Sequence, residues 1–137
     1  MKKIILLITI HLLSIATSKA QEKKIEPKGI YKEIVVEKSN KIVEILKGEN
    51  ISSKTQIVDS IIKKPNDYNP TVLYALSKEL YDNNKKDEAT YWFYLAQLRA
   101  RYDANLCLDN SAKQAVSILN NEYGPNINKY AFQNIHF

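Results

Sequence analysis

Nucleophiles, bases and metal ligands are scarce in this chain of 137 residues, which has one cysteine, Cys107, and two histidines, His11 and His136. A Cys-His pair between Cys107 and His136 has the elements of covalent catalysis. However, Leu106 and Leu108 flank the thiol and predict burial among apolar side chains, a setting that disfavours the reactive thiolate. His136 is the single histidine beyond residue 20, and one His with one Cys cannot make a zinc site of ordinary composition. Asp103 and Asp109 supply carboxylates of the type used in glycoside cleavage, yet Asp103 stands four residues after Arg99, the spacing of a surface ion pair on a helix. The three glycines, Gly29, Gly48 and Gly124, are scattered, so no phosphate-cradling loop exists. These residues predict no catalytic site, no cofactor and no metal.

Recognition chemistry is better supplied. Thr90, Tyr94, Gln97 and Arg101 fall at i, i+4, i+7 and i+11, so a helix through them would carry all four on one face. Tyr and Arg are the residue types that most often dominate binding at interfaces. Tyr81 and Tyr102 are placed to flank such a strip. The same residues also suit an internal role, with tyrosine rings packed on neighbouring helices and Gln97 and Arg101 satisfying buried carbonyls.

The N-terminus sets the compartment in which this would happen. Lys2 and Lys3 precede an apolar stretch from Ile4 to Ala16, and Ser18-Lys19-Ala20 places small residues where a signal peptidase reads. Cleavage after Ala20 is expected, and the protein should be periplasmic or secreted. The apolar stretch is interrupted by Thr9, His11 and Ser14 and is shorter than the ~20 residues a bilayer-spanning helix needs. No stable membrane anchor is therefore expected after cleavage. Three basic residues leave with residues 1–20, reducing the balance to seventeen basic against fifteen acidic. Lys alternates with Glu or Asp along most segments, so no concentrated basic face points to nucleic acid. A lone cysteine excludes an internal disulfide, leaving Cys107 either buried or joined to another chain.

The remaining 117 residues suit one domain. Residues 21–29, with Pro27 and Gly29, read as a flexible segment before a single helical domain over 30–137. Ile34, Val35, Ile42, Ile45 and Leu46 share one side of a helical wheel, although Ile34-Val35-Val36 would equally suit a strand. Ser53 and Gln56 form a capping-box pattern ahead of Ile57, Val58, Ile61 and Ile62, and Pro65 ends that helix. Asn69 followed by Pro70 is the strongest start signal in the chain. It predicts a helix from Pro70 to about Tyr81, a tight turn at Asp82-Asn83-Asn84-Lys85, and an antiparallel partner from Lys86 to Tyr102. That partner is apolar on two sides, with Trp92, Phe93 and Ala96 on one and Tyr91, Leu95, Leu98 and Tyr102 on another. Such a helix is expected in the middle of its domain. Ser111 and Gln114 start another helix, expected to stop at Tyr123-Gly124-Pro125. A short terminal turn using Ile127, Tyr130, Ala131 and Ile135 then follows. The fold class is all-α, with five or six helices after the signal peptide.

Leu73, Leu76, Ser77, Leu80, Ala89, Phe93 and Ala96 occupy, at the right offsets, the large, small and aromatic positions of a 34-residue tetratricopeptide unit beginning at Pro70. The run from Asp87 to Ala96, with Trp92 three residues after Ala89, is also similar to the second helix of Sel1-type repeats. The resemblance covers residues 70–103 and implies a short stack of antiparallel hairpins that holds another protein on a helical surface. The expectation is an exported, non-catalytic protein-protein interaction module of the bacterial envelope. Alternatives are an immunity-type inhibitor of an exported toxin and a self-associating structural subunit, a homo-oligomer with Cys107 across its two-fold axis.

Overall fold

The computed structural model describes residues 36–109 and 111–134. The expected signal peptide, the flexible segment, the start of the domain near Ile30, and Ile135 and His136 lie outside the described residues. Every element among the described residues is helical, and five α-helices pack against one another. They are α1 (Glu37–Lys47), α2 (Ile51–Lys63), α3 (Pro70–Asp82), α4 (Lys86–Leu106) and α5 (Ala112–Gln133). A 3-10 turn, Pro65–Asp67, joins α2 to the α3 start.

The helix boundaries follow from local chemistry, with two corrections. Asn69 caps α3 as expected, its Oδ1 accepting the Val72 N–H at 3.2 Å while its Nδ2 donates to Ser39 of α1. At the start of α2, however, Asn50 is the cap, accepting from Ser53 N at 2.9 Å, so Ser53 already lies inside the helix. Asn outcompetes Ser because its carbonyl reaches the third N–H from one turn earlier. Likewise Ser111 does not cap α5 with its own side chain. Asp109 accepts from both the Ser111 N–H and its hydroxyl, at 2.8 and 2.7 Å. These hydrogen bonds hold the Asp109 carboxyl below its usual pKa.

The turn between α3 and α4 is tight because Asn84 takes a left-handed conformation, φ 61°, which Asn tolerates better than most side chains. Lys85 N then donates to Leu80 O and Asn84 N to Tyr81 O, at 2.9 and 3.0 Å, closing the paired bonds of a Schellman motif. This reverses the chain in three residues and lays α4 antiparallel on α3. Ser77, Ala89 and Phe93 are fully buried, and the Ser77 hydroxyl donates to its own helix at Tyr74 O.

The middle of the domain is α3, not α4. It touches α1, α2, α4 and α5, and Val72 to Ser77, Glu79 and Leu80 are all buried. The Glu79 carboxylate is paired there with Lys54 of α2, at 2.7 Å, and accepts from the Asn83 amide. Helix α4 buries the Ala89, Trp92, Phe93 and Ala96 side and leaves its second apolar side facing out.

The expected stop at Tyr123-Gly124-Pro125 does not occur, and α5 runs through it to Gln133. Proline disfavours helix in the preceding residue partly by colliding with its Cβ, and Gly124 has none. Pro125 and Asn121 are both exposed, so water can satisfy the Asn121 carbonyl that Pro125 leaves without a donor. Tyr123, Gly124 and Ile127 are buried and hold the helix across the proline. A Cβ on Gly124 would stand 2.9 Å from Phe93 Cζ, and that ring is fully buried. Gly124→Ala should therefore destabilise the fold by about 1–3 kcal/mol through overpacking, despite the better helix propensity of alanine. Urea denaturation monitored by far-UV circular dichroism checks this, with an unchanged or raised midpoint contradicting the close approach.

Candidate docking face

Helix α4 carries Thr90, Tyr94, Gln97 and Arg101 along one side, and α5 lies beside that side. Thr90 Oγ1 donates within its own helix to Lys86 O. Tyr94 Oη donates to Asn128 Oδ1 of α5 at 3.0 Å, with the residue still 38% exposed. Gln97 Nε2 donates to Asn120 Oδ1 at 2.9 Å. Arg101 is exposed. The strip is thus a seam at its Tyr94 and Gln97 positions and open surface at Arg101.

Asn120 ties three helices together, because its Oδ1 accepts from Gln97 of α4 and, at 2.7 Å, from the Tyr74 hydroxyl of α3. Tyr74 stacks on Tyr123 and meets Phe93 edge-on, with ring centroids 5.8 and 5.5 Å apart. Nearer the α3–α4 turn, Tyr130 donates to Asp87 at 2.9 Å, a bond to a carboxylate that pushes the Tyr130 pKa up. The Lys86 ammonium lies over the rings of both Tyr81 and Tyr130. Between these contacts is a shallow groove of about 350 Å³ lined by Asp87, Thr90, Tyr94, Tyr130, Ala131 and Asn134. On the far side of α5, Lys47 of α1 bonds Glu122 at 2.8 Å, raising the lysine pKa and lowering that of the carboxylate.

The larger accessible surface is the outward side of α4. Tyr91, Leu98 and Tyr102 are 62%, 67% and 65% exposed, Leu106 is similarly open, and Leu95 between them is partly buried. At 3.6 residues per turn these five occupy about an 80° arc over roughly 22 Å of helix. Isolated exposed leucines are ordinary, but a contiguous aromatic and aliphatic stripe marks an interaction surface. Tyr91, Leu95, Leu98 and Tyr102 were recognisable as one apolar side in the sequence, although their solvent exposure was not. Tyr94 and Arg101 border this stripe, so the polar strip and the apolar stripe form one surface.

Other candidate residues take different places. Arg99 does not pair with Asp103. Its Nη1 and Nη2 donate to Pro65 O and Tyr68 O, both at 2.9 Å, so that Pro65 O accepts from Arg99 as well as from Tyr68 N within the 3-10 turn. Cys107 is exposed rather than buried, as are Leu106 and Leu108, because α4 extends to Leu106, beyond its α3 partner. Among the described residues no group of three or more His, Cys, Asp and Glu is placed to hold a metal ion. No helix there is long and apolar enough to cross a membrane.

Burial pushes the Tyr74 hydroxyl up to about 12, against about 10 for an exposed tyrosine. The fold favours the neutral form, so this contribution is complete below about pH 10 and disappears as pH rises from there through about 12. The urea midpoint should fall across that interval, and Tyr74→Phe should flatten the fall. At neutral pH the variant should cost only about 1 kcal/mol, since Asn120 keeps the Gln97 donor. Identical alkaline profiles would show that Tyr74 is solvated. Comparison of the chain with protein-family models, curated proteins and solved structures finds no match.

Proposed function

We propose that this protein is an exported, non-catalytic protein-protein interaction module of the bacterial envelope, and that it binds through the outer surface of α4. The observation that carries the proposal is the stripe of Tyr91, Leu98 and Tyr102, exposed beside Tyr94 and Arg101 on a hairpin whose other side is locked into the core. A rigid aromatic surface binds with little ordering cost, because its side chains are already positioned. Gln97 ties the surface to α5 through its bond to Asn120, while the Thr90 hydroxyl bonds within α4. Export rests on the charge, apolar and small-residue order of residues 1–20.

The α3–α4 hairpin is read as one tetratricopeptide- or Sel1-like unit. In support, the small residues Ser77 and Ala89 and the aromatic Phe93 are all fully buried, as the pattern requires. The non-catalytic reading is supported by what the candidate groups do. Asp109 is used in capping Ser111, and Arg99 is engaged by backbone carbonyls rather than by Asp103.

Affinity capture from a bacterial envelope extract, with the full chain carrying a C-terminal tag, tests the reading. The native protein should retain a partner that Leu98→Glu and the double variant Tyr94→Ala, Arg101→Ala lose, with helical circular dichroism unchanged. Retention of the same proteins by all three, or of none by the native chain, would refute the docking role.

A further inference from the structure

Resting on the reading of the outer α4 surface as a docking face, we infer that its occupant is a second copy of this chain, with the two α4 helices packed antiparallel across a two-fold axis. The order of side chains along the stripe carries the inference. Tyr91, Leu95, Leu98 and Tyr102 are spaced by four, three and four residues, the alternation of a two-helix seam. The types of these four read the same in both directions, aromatic, Leu, Leu, aromatic, with Leu106 one turn beyond them. A two-fold interface must be complementary to itself. About a centre between Ala96 and Gln97, an antiparallel copy sets Tyr91 against Tyr102 and Leu95 against Leu98, filling each layer with a matching pair.

Charge selects the same orientation. Asp87 lies near the start of α4 and Arg101 near its end, on the same flank of the stripe as Tyr94. The two-fold operation brings Asp87 of one copy to within five residues, about 7.5 Å along the axis, of Arg101 of the other. An arginine side chain spans that distance, and the contact occurs twice. Asp87 accepts from Tyr130 through Oδ1, and a carboxylate has capacity for further donors. Parallel helices would place this flank of the two copies on opposite sides of the seam, so that Asp87 and Arg101 could not meet, and would align the two helix dipoles unfavourably. The antiparallel arrangement also holds the two Cys107 residues about 30 Å apart along the axis, so the pair needs no disulfide and persists in reductant.

Sedimentation equilibrium of the full chain, in the processed form that accumulates on expression, should show a monomer-dimer equilibrium unaffected by reductant. Leu98→Glu should weaken it about tenfold or more. Orientation is read in a Cys107→Ser background by oxidising a mixture of Tyr91→Cys and Tyr102→Cys. The mixed cross-linked dimer supports the antiparallel pair. Cross-linking of each variant to itself overturns it in favour of a parallel pair. A chain that stays monomeric, yet captures another protein in a Leu98-dependent way, overturns self-pairing while the docking reading stands. A monomer indifferent to Leu98→Glu in both assays sinks both.

Discussion

Helix α3 has almost no solvent-facing side, and the rest of the domain is arranged to cover it. Four helices touch its thirteen residues, which is possible only if at least one neighbour approaches very closely. Ser77 and Ala89 are small and fully buried, and the Ser77 hydroxyl is satisfied by its own backbone. Larger side chains there would separate the helices and open space around Phe93, and the loss of dispersion contacts would propagate to each layer that rests on that ring. Gly124 extends the same constraint to α5, which can lie against Phe93 only where it lacks a Cβ.

Polar groups inside this packing are few and paired. Glu79 meets Lys54 and Asn83, and Tyr74 shares Asn120 with Gln97. No buried side-chain nitrogen or oxygen among the described residues lacks a partner. Such groups contribute little net stability when matched but cost heavily when one partner is removed. Their effect here is to set register, since Asn120 can accept from both Tyr74 and Gln97 at only one position of α5 along the hairpin.

With one side of α4 committed to α3 and another bonded to α5, the helix is held rigidly while its third side remains open. Helix α4 has twenty-one residues and α3 thirteen, so the outer stripe continues past the end of the hairpin to Leu106. The proposed binding role and the proposed antiparallel pairing both depend on this geometry, a preorganised apolar surface with acidic and basic residues near its opposite ends.

Asn69-Pro70 and the polar turn at Asn83 and Asn84 were enough to place the start of α3 and the turn into α4, because caps and turns are decided by residues near one another in the chain. The helical fold class and the shared side of Thr90, Tyr94, Gln97 and Arg101 were legible for the same reason, since helical spacing is local. Tertiary packing decided which apolar side of α4 is covered, that Cys107 is exposed, and that α5 continues through Gly124-Pro125. Local pattern cannot resolve these, because a helix with two apolar sides presents equal claims to burial. Which side wins depends on where distant residues such as Tyr123, Asn128 and Ile127 are delivered by the rest of the chain.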